Sequence, residues 1–262
     1  MRISRKIEYL ASALIDVSSR DVSHGFLSRR GGVSSGHYAS LNFDGRDGDM
    51  LENIARNKAI VASECDCPIE SIVTVNQVHG NGVLCLDDKT LQAYGKPVDA
   101  DAIITDRPNV PIGILTADCL PMLLYDPVRK AAGAVHAGWK GTVKGVAVAA
   151  VEAMAAAYGS KPSDIRAAIG PHIRECCLRV REDVKAEFAA AFGSTDKVFR
   201  ADALGLRLDL RAANLSQLLM AGLKFDHVAT VAPCTSCYSG LFYSYRKEGG
   251  RTGRQLSYIM LR

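Results

Sequence analysis

Apolar residues recur near every 3.6 positions in four stretches, and each predicts a helix with one buried face. The stretches are Leu51–Glu64, Val143–Tyr158, Glu182–Phe192 and Arg211–Ala221. Between them lie short apolar runs bounded by Gly, Pro, Asn and Asp, the pattern of strands. Nine are legible: Ile72–Val75, Val83–Leu86, Ala102–Thr105, Ile112–Thr116, Met122–Tyr125, Ala132–His136, Ile165–Ile169, Val228–Ala232 and Leu256–Leu261. Several follow one another too closely for a crossover helix, so the sheet cannot be all parallel. The pattern predicts an α+β fold, with mixed β-sheets flanked by helices. The stretch Arg29–Asp49 is rich in Gly, Ser, Asn and Asp but punctuated by Tyr38, Leu41 and Phe43. It is expected to be an ordered functional loop.

At 262 residues the chain is long enough to bury a large core, and no linker or tandem repeat divides it. A single domain over residues 1–262 is expected. The net charge of +4 comes from scattered basic residues, which gives no nucleic-acid or polybasic membrane signature. No run of 18 apolar residues exists, and the N-terminus lacks the apolar core of a signal peptide. A cytoplasmic protein is expected, as a monomer or small homo-oligomer. Its eight cysteines are then thiols, metal ligands or nucleophiles rather than a disulfide framework.

Three apolar runs end in metal-capable residues: Thr74–Gly80 on His79, Ile114–Pro121 on Asp118 and Cys119, and Gly133–Gly141 on His136. Two imidazoles and a thiolate suit zinc or copper, and three protein ligands leave a fourth position for water or substrate. Cys119 follows His79 by 40 residues and precedes His136 by 17, too far for a zinc knuckle, so spacing alone decides nothing. The plain alternative is three unrelated side chains. A sharper rival makes Cys119 a nucleophile with His136 as its base and Asp118 orienting the imidazole, without metal.

Pro233-Cys234-Thr235-Ser236-Cys237 matches half of the zinc deaminase signature, but no histidine is followed two positions on by Glu, so that assignment fails. Cys234 and Cys237 could join Cys176 and Cys177 as four thiolate ligands of a structural zinc, although paired buried cysteines without metal are the commoner case. Candidate anion binders are Arg29 and Arg30 before Gly31-Gly32, Lys140 beside Trp139, and Arg246 in an apparent aromatic strand, Phe242–Arg246.

His24–Ser34, Ser40-Leu41-Asn42, Asn76–Gly80, Ala117–Pro121, Ala134–Gly141, Ala168–Pro171, Leu241–Arg246 and Thr252–Gln255 occur in that order. Together they resemble the laccase-domain (polyphenol oxidase) family of purine nucleoside phosphorylases. The resemblance spans residues 22–262. It implies αββα-like layers and a zinc on His79, Cys119 and His136, with copper as an alternative. It implies cleavage of adenosine, inosine and methylthioadenosine by phosphate, and deamination of adenosine. Catalytic roles would fall to Asp118, Cys119, His136 and Arg246, and substrate contacts to Arg29, Asn42, Gln77, Lys140 and Arg246. A copper-dependent phenol oxidation and the metal-free cysteine hydrolase are the alternatives. The chain departs from the family at Leu178, where an aromatic is usual, and at Tyr243 and Lys247, where Phe and Arg are usual. Those departures bear on substrate preference and leave the metal trio intact.

Overall fold

The computed structural model describes residues 2–3, 6–16, 21–231 and 233–262. Two large sheets lie face to face. The first has five strands in the order β1 (Arg2–Ile3), β2 (Glu8–Leu10), β3 (Val22–Leu27), β14 (Gln255–Leu261) and β6 (Ile112–Thr116), all antiparallel. The second has six, in the order β13 (Val228–Thr230), β9 (Arg166–Ile169), β7 (Leu120–Asp126), β8 (Ala131–Ala137), β5 (Ala102–Thr105) and β4 (Val83–Leu86). Its two outer pairs, β13 with β9 and β4 with β5, are parallel, and the rest are antiparallel. A small antiparallel sheet joins β10 (Arg179–Val180), β12 (Gly205–Leu208) and β11 (Phe199–Asp202).

Helices cover the outer faces, as the α+β reading requires. Helix α1 (Leu51–Cys65) packs on the five-stranded sheet, where Val61 meets Leu256, Tyr258 and Met260. Helix α4 (Val146–Tyr158) covers the six-stranded sheet, α6 (Leu210–Met220) packs against α4, and α5 (Glu182–Phe192) sets Phe188 against Phe199 of the small sheet, all in one core. Two short helices, α2 (Asp88–Gln92) and α3 (Trp139–Val143), complete the chain, so the layers run α, β, β, α. Among the described residues no helix is long and apolar enough to cross a membrane.

The strands are apolar on both faces because both faces are buried. In β7, Leu123 and Tyr125 point between the sheets while Met122 and Leu124 point to α4. In β14, Ile259 and Leu261 point inward while Tyr258 and Met260 point to α1. The period of two thus sorts one continuous apolar run into two cores.

Three expectations are corrected. Ile72–Val75 is buried but forms no strand: Val73 makes one isolated bridge to Ile112, and the chain then turns away towards His79. The predicted helix Val143–Tyr158 is two helices, because Gly145 takes φ +76 between α3 and α4, a conformation that costs glycine nothing. The predicted strand Val228–Ala232 ends at Thr230, and Ala232 lies outside the described residues.

Gly170, at the end of β9, fits a gap between the sheets in which an added Cβ would stand 2.1 Å from the buried Phe26 ring. Overpacking of this kind typically costs about 1–3 kcal/mol. Gly170→Ala is therefore expected to lower the thermal midpoint by several degrees in a calorimetric scan. An unchanged midpoint would mean that the Phe26 ring can turn aside.

Candidate metal centre

The antiparallel register of β7 against β8 pairs Leu120 with Ala137 and Pro121 with His136. It brings Cys119, which precedes β7, beside the end of β8. The next strand over, β5, pairs Ala102 with Val135, so Asp101 flanks His136. The His136 amide donates to the Asp101 carbonyl at 2.7 Å, and its ring Nδ1 meets Asp101 Oδ1, also at 2.7 Å. His79 comes from the loop before β4. Three consecutive amides of that loop, those of Val78, His79 and Gly80, donate to the Asp101 carboxylate at 3.3, 3.0 and 2.5 Å. Gln77 ties the same loop to β6 by donating to the Leu115 carbonyl at 2.7 Å and accepting from the Leu115 amide at 2.8 Å.

The outcome is a convergence of donors. His79 Nε2 lies 3.8 Å from Cys119 Sγ, and the ligand atoms of His79, Cys119 and His136 lie within 4.8 Å of one another. The imidazoles meet edge to face, with centroids 4.9 Å apart. A tetrahedral ion at the usual zinc–sulfur and zinc–nitrogen lengths would set sulfur and nitrogen about 3.6 Å apart. Gly138 closes the cradle: a Cβ there would come within 2.8 Å of the His79 ring and 3.1 Å of Cys119 Sγ. Asp101 occupies His136 Nδ1 and leaves Nε2 for the ion, the arrangement usual behind metal-binding histidines.

Electrostatics favours the ligand form of the thiol. Burial raises the Cys119 pKa, but the His136 charge and the hydrogen bonds from His136 and His79 together outweigh burial and draw it down to about 6. Burial opposes the imidazolium too, yet Cys119 and Asp101 lift His136 to about 9. Burial would also raise Asp101, but the bonds from His136 and the loop amides hold it below the usual carboxylate range.

Two residues of the site carry positive φ without being glycine, His79 at +58 and Asp118 at +86. Such conformations persist only where the surroundings enforce them. Asp118 is held through both carboxylate oxygens, by the Thr235 hydroxyl and the Arg246 amide, each at 2.6 Å. Its carbonyl accepts from the Ile173 amide at 2.9 Å. Asp118 therefore does not orient His136; Asp101 does.

The trio opens into a cavity of 620 Å³, also lined by Asp118, Gln77 and Arg246. Arg29, Asn42 and Lys140 do not line it. Arg29 spends its guanidinium on the Ala39 and Ser239 carbonyls and on Glu248, over the Tyr243 ring. Asn42 is buried and ties the Asp44 and Asp49 loop to the Arg254 amide. Lys140 is exposed and lies over its neighbour Trp139. The Gly31-Gly32 amide nest is not free either, since Gly32 donates to the Ser40 hydroxyl. Arg246 stands in a turn rather than a strand and is exposed, so the expected burial cost does not apply. Among the described residues its guanidinium bonds the Cys177 and Arg179 carbonyls, at 3.3–3.4 Å.

The cavity also holds residues that local sequence pattern missed. Arg46 lies on the Arg29–Asp49 loop, clamped by Asp44 at 2.8 and 2.9 Å. Arg254 bonds Asp47 at 3.2 Å and packs over Tyr245. The one signal for Arg46 was its place in a polar loop with embedded aromatics; Asp101 had none, because its partners lie 20 or more residues away.

Asp101→Asn keeps the shape but loses the charge that fixes the His136 ring and the His79 loop. Metal affinity is expected to fall roughly 10–100-fold, measured by competition against a chromogenic chelator. Equal affinity in the variant would reduce Asp101 to a loop anchor.

A family model described as multi-copper polyphenol oxidoreductase laccase matches residues 23–262. A purine nucleoside phosphorylase of Deinococcus radiodurans is 39% identical over 240 residues, covering 92% of this chain and 89% of the relative. The purine nucleoside phosphorylase YlmD of Bacillus subtilis is 34% identical over 248 residues, covering 92% and 89%. The crystal structure of YlmD from Geobacillus stearothermophilus superposes with a TM-score of 0.90 at 31% identity, covering 100% of this chain and 98% of that one.

Proposed function

The chain belongs to the multi-copper polyphenol oxidoreductase laccase family, and on that premise we propose that it is a purine nucleoside phosphorylase with one zinc on His79, Cys119 and His136. Its substrates are then adenosine, inosine and methylthioadenosine with phosphate, and adenosine deamination is a second activity on the same site. The observation that carries this reading is the open trio of ligands in the wall of the 620 Å³ cavity, a size usual for small-molecule sites. Relatives named as purine nucleoside phosphorylases support the substrate class.

A zinc bound there would supply a Lewis acid and a water made acidic enough to ionise near neutral pH. The residues of the chain supply placement. Asp101 holds the His136 ring and the His79 loop in register, and Asp118 positions Cys119 and the Arg246 turn. Tyr245 and Trp139 line the cavity and give a purine aromatic surface to pack against, one face of each ring being taken by Arg254 and Lys140. Phosphate must be held for in-line attack on the anomeric carbon, with its charge met by a fixed cation. Of the three arginines lining the cavity, Arg46 and Arg254 each have a carboxylate partner, whereas the described contacts of Arg246 are to carbonyls. That leaves Arg246 with its charge available to phosphate.

The cysteine-hydrolase alternative gains something from the geometry, since Cys119, His136 and Asp101 make a nucleophile, base and orienting acid. It gives no reason for the second imidazole 3.8 Å from the sulfur. Phenol oxidation by a multinuclear copper cluster would need many more imidazoles than the six histidines here. Among the described residues only two histidines converge with a third ligand.

Cys119→Ala and His136→Ala should each remove the metal bound at the trio and base release from inosine while leaving the far-ultraviolet dichroism unchanged. Elemental analysis distinguishes zinc from copper, and base release with and without phosphate distinguishes phosphorolysis from hydrolysis. Full activity on inosine in a variant that has lost the trio's metal overturns the reading.

Arg246→Ala should raise the KM for phosphate roughly tenfold, equivalent to about 1.4 kcal/mol, and spare adenosine deamination, which uses water. Quantifying hypoxanthine, adenine and inosine from one adenosine reaction separates the two. Equal loss of both activities would assign Arg246 to the nucleoside instead.

A further inference from the structure

Part of the cavity wall is made by two chain segments far apart in sequence. One runs through Ile173 and Leu178, the other through Tyr245 and Arg246. Where they meet stand four cysteines, Cys176 and Cys177 in one turn and Cys234 and Cys237 in another. Their four sulfurs lie within 4.8 Å of one another. Cys237 Sγ is 3.7 Å from Cys176 Sγ and 3.5 Å from Cys177 Sγ. A tetrahedral zinc with the usual sulfur distance of ~2.3 Å sets its sulfurs roughly 3.8 Å apart, so the spacing is that of a metal cage. Cys234-Thr235-Ser236-Cys237 has the two-residue separation of a zinc knuckle.

The backbone aims an amide at the cluster and pins its two turns together. The Arg174 amide donates to Cys234 Sγ at 3.4 Å. An isolated bridge joins His172 to Cys234, and the Thr235 amide donates to the His172 carbonyl at 3.1 Å, which fixes one turn against the other without any metal. Four thiolates around a dication leave a doubly negative cluster. Two guanidinium groups stand beside it, Arg207 at 3.5 Å from the Cys176 carbonyl and Arg246 at 3.4 Å from the Cys177 carbonyl. The cluster has four ligands and no open position, unlike the trio, which fits a structural ion.

We propose that Cys176, Cys177, Cys234 and Cys237 form a second metal site, a closed tetrathiolate for structural zinc that clamps the two wall segments of the cavity together. Thr235, inside the knuckle, bonds Asp118, and Arg246 bonds both Asp118 and the Cys177 carbonyl. The clamp therefore sets the position of the wall that holds Asp118, next to Cys119 of the trio. Soft thiolate ligation also makes the site selective for zinc over magnesium or calcium.

The test uses full-length protein purified under reducing conditions, with the trio removed by Cys119→Ala and His136→Ala together. About one zinc per chain should remain. Substitution by cobalt should give the thiolate-to-cobalt charge-transfer band and the intense visible bands of a tetrahedral tetrathiolate. Adding Cys234→Ser, or separately Cys176→Ser at an exposed position that the core does not depend on, should abolish both signals. Cobalt-loaded wild-type protein should show the tetrathiolate bands as well, which removes any dependence on the folding of the variants. A trio-less protein that holds no metal, zinc retained in full after Cys234→Ser, or wild-type protein without the tetrathiolate bands would each overturn the proposal.

Discussion

The buried carboxylate of Asp101 is the interaction on which the site depends. Its side chain is 0% exposed, and a carboxylate so placed is costly unless hydrogen bonds replace water. Here the donors are the amides of Val78, His79 and Gly80 and the Nδ1 of His136. Each hydrogen bond to a charged group contributes about 1.5–3 kcal/mol, so removing the charge would release both the loop and the ring. Asp101 also stands at the mouth of β5, and its carbonyl accepts from the His136 amide. The register of the sheet is thereby passed directly to an imidazole and to the loop that carries His79.

That arrangement explains how much of the molecule was legible in the sequence. Strands such as Ala102–Thr105 and Ile112–Thr116 were legible to the residue because they are apolar on both faces. Strand β3 was not, since Val22–Leu27 contains Ser23, His24 and Gly25, yet every residue of it is buried. Its polar groups are satisfied by tertiary partners, as when His24 Nε2 accepts from the Ser12 amide, and local pattern cannot foresee that. The half-exposed strands β10, β11 and β12 were missed for the opposite reason, having little apolar surface to bury.

The trio was legible as three polar endings of apolar runs, and the structure brings those endings together. The residues behind it were not legible. Asp101 looked like one of two acids in Val98-Asp99-Ala100-Asp101. Asp118 was legible as important, but its task was misread: proximity in sequence to Cys119 suggested a partner for His136, whereas its φ of +86 turns its carboxylate towards Thr235 and Arg246. Arg246 was misread because a run of aromatics implies burial, while the turn that carries it leaves Tyr245 and Arg246 exposed and buries Phe242 and Tyr243.

Asp101 and Asp118 thus divide the cavity between them. Asp101 fixes the side that gathers His79 and His136, and Asp118 fixes the side that carries Cys119, Thr235 and Arg246. The apolar core reaches Ala102, Leu120 and Ala137 at the strand ends and goes no further, so the loops beyond need polar anchors, because dispersion contacts cannot hold a loop that faces a cavity. Hydrogen bonds to a charged oxygen can, because they are directional and strengthen as water is excluded. The same logic extends one step outward. Thr235 is tied to Asp118 and lies between Cys234 and Cys237, so a rigid cysteine cluster would leave that hydroxyl one position to occupy. Strain at Asp118 is sustained only while Thr235 and Arg246 keep their places, and both are positioned from the cysteine side of the wall. The geometry of Cys119 towards the histidines is accordingly set from two directions, by a sheet through Asp101 and by a clamped loop through Asp118.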